Sequence, residues 1–146
     1  MLFVQLLAGK FHPNFVNESN MRDIIFRGKC IHTGMWIYGY LSRLGDGAYI
    51  TTNPDGYRID YQVKPETIGM CTGLQDKNDK LIYEGDMLVY NKNGHNSRPL
   101  VVEYRHGAFG YVYSNEWFHP FAGNTKFDFN PCDKDDRFEI IGDIYE

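Results

Sequence analysis

Six basic residues, Arg22, Arg27, Lys29, Arg43, Arg58 and Lys64, are interleaved with Tyr38, Tyr40, Tyr49 and Tyr57 in the first half of this chain. Rings that stack on bases, flanked by cations that meet phosphates, are how a β-sheet platform holds single-stranded nucleic acid. Within this set, Arg27, Lys29, Tyr38, Tyr40, Arg43 and Arg58 are the residues expected to form a nucleic-acid or partner surface. The competing reading is that the tyrosines pack a core or a subunit interface. Charge favours the second reading. With 15 Lys+Arg against 19 Asp+Glu the net charge is −4, whereas general nucleic-acid binding needs a surplus of cations to displace counterions.

Other chemistry-bearing residues lack the spacing that chemistry needs. Cys30 and His32 lie two apart, with Cys71, His106 and Cys132 scattered elsewhere. Zinc takes four ligands, usually as two close pairs, and no second pair is present. No flanking pattern joins a cysteine to His95, His106 or His119 as a nucleophile and base. Glu84 and Asp86 bracket Gly85 and read as the opening of a strand. Asp133, Asp135 and Asp136 read as a solvated loop, without the calcium-loop spacing. Gly45, Gly47, Gly69 and Gly73 form neither a dinucleotide fingerprint nor a phosphate loop. No catalytic residue, metal site or cofactor is therefore expected, and the chain reads as a non-enzyme.

The elements that would position these side chains are strands. Aromatics make up 16% of the chain (11 Tyr, 10 Phe, 2 Trp), which favours sheets with large buried areas per side chain. Ile24, Phe26 and Gly28 alternate with Asp23, Ile25, Arg27 and Lys29, a period of two expected of a strand with one buried face. A turn over Cys30–Gly34 leads to Met35–Leu41, with Trp36, Tyr38 and Tyr40 on one face. Leu44-Gly45-Asp46-Gly47 and Asn53-Pro54-Asp55-Gly56 are turns. Between and after them run Ala48–Thr52 and Tyr57–Val63, the latter with Tyr57, Ile59, Tyr61 and Val63 on one side. Residues 21–63 thus read as an antiparallel meander. A connecting segment follows over 64–82, with one helical turn at Pro65 and a polar turn at Asp76–Lys80. Residues 83–146 read as an SH3-like, partly closed barrel. Its strands are Met87–Tyr90, Leu100–Tyr104, Ala108–Tyr113, a short aromatic run at Glu116–Phe121 and a last strand at Phe138–Tyr145. Asn91–Pro99 reads as a polar loop and Gly123–Arg137 as irregular. The fold class is mainly β.

Residues 1–20 read as a non-core extension, consistent with an upstream start, with Met21 as the natural one. Met1–Leu7 is apolar but far shorter than the ~20 residues of a membrane span, and it lacks the flanks of a signal peptide. An odd number of widely spaced cysteines fits a reducing cytosol.

Met21-Arg22-Asp23-Ile24-Ile25-Phe26-Arg27-Gly28-Lys29 resembles the opening of YopX-family proteins. Trp36–Leu41, Val63–Gly69, Thr72–Asn78, Ile82–Asp86 and Phe138–Tyr145 continue the likeness, which covers most of residues 21–146. Two positions depart from the pattern. Cys71 stands where a polar or aromatic residue is more usual. Asp79 stands where the family's turn has glycine, so a non-glycine must be held at positive φ there, which Asp tolerates better than most. The resemblance implies phage or prophage origin, a β-rich two-part fold and self-association, in a bacterial host cytosol. It supplies no activity and no catalytic residue. The expected role is that of a non-enzymatic accessory protein acting through protein–protein contacts, as a homo-oligomer. The alternative is a nucleic-acid-binding accessory factor.

Overall fold

A computed structural model describes residues 24–52, 56–113, 117–121 and 138–146. The expectations for residues 1–20, Arg22, the Asn53-Pro54-Asp55 part of the second turn, Cys132 and the Gly123–Arg137 stretch lie outside these residues. The described chain is mainly β, as its aromatic and β-branched content predicts. It divides into two units, ending at Met70 and beginning at Cys71.

In the first unit β1 (Phe26–Lys29), β2 (Trp36–Leu44), β3 (Gly47–Thr52) and β4 (Ile59–Gln62) form an antiparallel meander. The β2–β3 connection is Gly45-Asp46 alone, with Gly45 at φ +62, which a residue with a Cβ adopts at a cost. The meander rolls until its ends meet. Cys30 bridges Val63, Ile31 N–H donates to Gln62 O at 3.0 Å, and Lys64 N–H donates to Lys29 O at 2.8 Å. Gly28 makes this approach possible, because a Cβ there would lie 2.9 Å from the Val63 side chain. Cys30, Ile37, Ala48, Ile50 and Val63 are the core so enclosed, with Phe26, Tyr61 and Ile68 packed against it.

The expected one-turn helix at Pro65 is present as a 3₁₀ turn, Pro65–Thr67. The buried Thr67 hydroxyl donates to Lys64 O at 2.7 Å and accepts Lys29 N–H at 2.8 Å, tying that turn to β1. The first residues of β5 (Gly69–Gln75) pair with Phe26 and Arg27.

Two expectations for this unit need correction. The alternation expected to run from Ile24 begins only at Phe26: Ile24 is 60% exposed and Ile25 is 1% exposed. Both precede β1, so the strand's period does not extend to them. Tyr57 also precedes its strand and is exposed, since β4 begins at Ile59.

In the second unit the rest of β5 pairs with β6 (Leu81–Tyr83) around a bulge that contains Gly73 at φ +79. β7 (Asp86–Lys92), β9 (Leu100–Arg105), β10 (Ala108–Tyr113), β11 (Trp117–Pro120) and β12 (Phe138–Asp143) form an antiparallel sheet in the order β11-β10-β9-β7-β12. No closed barrel forms among the described residues. The stretch read as a polar loop contains β8 (His95–Asn96), folded back on β7 through Asn93 (φ 54) and Gly94 (φ 83). Asn-Gly suits a two-residue hairpin loop because both central residues need positive φ. Asp79 takes φ 64, as its place in the family's glycine position requires.

The core of this unit is Leu74, Ile82, Leu88, Leu100, Val102, Phe121 and Phe138, with Tyr90, Phe109, Tyr111 and Ile140 against it. Phe138 is its hub. Its ring centroid lies 5.3 Å from Tyr90, 5.8 Å from Tyr111 and 5.9 Å from Phe121, in tilted and edge-on geometries that suit the quadrupoles.

Candidate functional site

Strand register decides which of the six candidate residues share a surface. Arg27 pairs with Tyr38 and Lys29 with Trp36, so these four side chains leave the sheet on one side. Tyr40 follows on the same side of β2, opposite Thr51, which is itself opposite Asp60. This is the face away from Ile37, Ile50 and Val63. Arg27, Lys29, Tyr38 and Tyr40 are therefore brought together. Arg43 is not: it shares the parity of Ile37 and sits exposed near the β2–β3 tip. Arg58 lies just before β4, and its Nε donates to Asp60 Oδ1 at 3.2 Å.

Trp36 organises the basic end of this face. The Arg27 guanidinium carbon is 4.2 Å from the Trp36 ring centroid and Lys29 Nζ is 5.2 Å from it. Each contact is a cation–π attraction of about 0.5–2 kcal/mol, larger where water is excluded. Arg27 is only 5% exposed, so its charge is held against the Trp36 ring instead of being offered to a phosphate. Trp36 was absent from the six candidates, yet the signal was in the sequence: it and Lys29 flank the Cys30–Met35 turn and must oppose each other in a hairpin.

The other end of the face is acidic. Thr51 Oγ1 donates to Asp60 Oδ1 at 2.6 Å, and the hydroxyls of Ser42 and Thr51 are 3.4 Å apart. The Thr51 hydroxyl, and after it the Arg58 guanidinium, hold the Asp60 carboxyl below the ordinary aspartate range against the opposing effect of desolvation. The face thus runs from two cations on an indole to an ionised carboxylate, and it carries no continuous basic track.

The expectations for cysteine and acid chemistry have structural answers. Burial pushes the Cys30 thiol up. Hydrogen bonds from the Thr33 hydroxyl and from the His32 and Thr33 N–H groups outweigh it, leaving the thiol below its ordinary value. Cys30 thereby serves as the acceptor that closes its own turn. Asp86 Oδ2 accepts Tyr83 N–H at 2.8 Å across the Glu84-Gly85 turn, the strand-opening role read for it. Among the described residues no group of three or more His, Cys, Asp or Glu side chains is gathered as for a metal. No helix among them is long and apolar enough to cross a membrane.

Asp76 was read only as part of a turn, and it does far more. It is fully buried, and Oδ1 accepts Asn78 N–H at 2.8 Å and Lys80 N–H at 3.0 Å, while Oδ2 accepts Ile140 N–H at 3.0 Å. The first two bonds were legible, since aspartate commonly caps its own turn. The third comes from a residue 64 positions away and has no local signal.

The family model described as YopX protein matches residues 26–146. The chain belongs to the YopX family. No curated protein and no solved structure matches it. In this YopX-family chain the match takes in every described element from β1 to β12, so both units belong to the family's common body.

Proposed function

We propose that this YopX-family protein is a non-enzymatic accessory factor of phage or prophage origin that acts in the bacterial host cytosol through protein–protein contacts, other copies of itself included. The observation that carries this reading is Trp117, 72% exposed and directly opposite the exposed Tyr113 on β10. Both lie on the side of the sheet that buries Leu100 and Val102, at the end that is outermost among the described residues. A large indole left in water beside a tyrosine is the composition of a binding hot spot, where rigid rings bury much area at little entropic cost.

The nucleic-acid alternative is supported by Lys29, Tyr38 and Tyr40 sharing a face with Trp36. It is weakened by the burial of Arg27, the ion pair of Arg58 and the opposite parity of Arg43.

Sedimentation at micromolar concentration tests the first reading. A mass well above the monomer's 17.0 kDa that falls on Trp117→Ala supports it, and a monomer unaffected by that substitution removes self-association. Salt-sensitive retention on single-stranded DNA that is lost on Lys29→Ala would instead favour the alternative, because each neutralised phosphate contributes to the salt slope.

A further inference from the structure

We infer that Asn93 is a site of spontaneous modification, in which its side-chain amide is lost through a cyclic imide, and that Asn91 acts as a brake on this reaction. Asn-Gly occurs once in the chain, at Asn93-Gly94. Asn93 and Gly94 are both exposed at the tip of the β7–β8 hairpin, and the position of a Cβ on Gly94 has nothing within 4 Å. Gly94 thus brings no side chain of its own, and nothing beside its Cα, to crowd the approach of its nitrogen to the Asn93 carboxamide. The tip is also cheap to open. β8 is two residues long and pairs with β7 through Asn91↔Asn96 and Lys92↔His95, with Ser97 N–H donating to Tyr90 O at 2.8 Å at its base, and short exposed pairings sit at the low end of local stability.

In the reaction the Gly94 nitrogen gives up its proton to solvent base and attacks Asn93 Cγ. A nitrogen–Cγ bond forms and the Cγ–Nδ2 bond breaks, and Nδ2 leaves as ammonia after taking a proton from water. Water then adds to one of the two imide carbonyls. Opening at Cγ gives aspartate, and opening at the main-chain carbonyl gives an iso-aspartyl link that routes the backbone through the former side chain. The sum is one water consumed and one ammonia released, with no change of oxidation state.

Asn91 opposes the first step. Its Oδ1 accepts Gly94 N–H at 3.2 Å, while its Nδ2 donates to Asn96 Oδ1 at 2.8 Å. The carboxamide therefore spans the hairpin and engages the proton that must leave. The product puts a new carboxylate, and in the iso form an extra backbone atom, into a loop that closes only with two residues at positive φ. The β7–β8 pairing is lost as a result.

The test is peptide mapping of the intact chain aged at mildly alkaline pH, with Asn78 and Asn96 as internal comparators. The expected result is ammonia loss concentrated at Asn93, with an iso-aspartyl fraction, accelerating as pH rises. Asn91→Ala should raise the Asn93 rate roughly two- to tenfold, the range that an exposed hydrogen bond represents. Asn93 ageing no faster than Asn78 and Asn96 in the wild-type chain would overturn the site, whatever the variant does. An unchanged rate in a folded Asn91→Ala chain would overturn the brake.

Discussion

In the first unit Ile37, Ile50 and Val63 fill the core, and the rings of Trp36, Tyr38 and Tyr40 stand on the opposite face of the sheet. In the second unit the rings of Phe121 and Phe138 join Leu74, Ile82, Leu88, Leu100 and Val102 in the buried core. The aspartates differ in the same way. Asp60 lies at the surface, shared between Thr51 and Arg58, whereas Asp76 is enclosed and spends both oxygens on backbone N–H groups. A rolled meander leaves a narrow interior that aliphatic side chains fill. The sheet of the second unit has a register shift between Ile140 and Gly142 in its last strand, and it depends on a buried carboxylate to seat that strand. Rings thus enter the fully buried core of the second unit and only border that of the first.

This contrast predicts where damage is greatest. Phe138→Ala removes the ring at the centre of three others and is expected to cost about 3–5 kcal/mol in urea unfolding, against about 2–4 kcal/mol for Ile50→Ala. A smaller loss at Phe138 than at Ile50 would break the distinction between an aromatic and an aliphatic core.

Asp76→Ala leaves three N–H groups without their acceptor, one on half-buried Ile140 and two on exposed Asn78 and Lys80, and should destabilise by about 2–3 kcal/mol. Hydrogen exchange at Asn78, Lys80 and Ile140 should rise together. Asp60→Ala should be much milder, and comparable losses at the two positions would show that enclosure does not set the cost.

Gly28→Ala sharpens the account of the rolled meander. The added methyl meets Val63 and should cost about 1–3 kcal/mol by overpacking, and Val63→Ala in the same chain should relieve part of it. A double-mutant cycle reads the coupling, and strict additivity would mean that the two residues do not oppose each other.

Smallest is the effect of pH at Asp60. Its folded carboxyl titrates below the ordinary range, so its contribution to stability is present above the unfolded pKa and is lost as pH falls through the lower, folded value. Thr51→Val should move the Asp60 titration back up, as followed by carboxyl NMR. An unmoved titration would assign the shift to Arg58 instead of the hydroxyl.

Much of the strand pattern was legible because it is local. The parity of Trp36, Tyr38 and Tyr40, the turn at Gly45-Asp46, the 3₁₀ turn at Pro65 and the positive φ of Asp79 all follow from residue type and spacing. Parity alone did not say which face of β2 is the interior. That depends on β3 and β4 rolling over Ile37, a long-range event licensed by Gly28. The β8 hairpin was signalled by Asn93-Gly94 but masked by its polar surroundings, in which no apolar alternation marks a strand. At the candidate site, four of the six residues were placed together by period two. The remaining two failed because Arg43 has the wrong parity and Arg58 has a carboxylate partner two residues on. Trp117 was legible as an aromatic and not as an exposed one, since exposure is set by the strand order β11-β10-β9-β7-β12.

Asp76 cannot complete its bonds until Ile140 reaches it, and this bears on birth at the ribosome. Domains generally fold as units, N-terminal first, as the chain emerges. Every strand that encloses Ile37 and Ile50 has left the exit tunnel long before β12 is translated. The nascent second sheet meanwhile presents an unfilled place beside β7 and an aspartate with one oxygen waiting. For that interval Phe138 is missing from among Tyr90, Tyr111 and Phe121, and the rings it will join lack their hub.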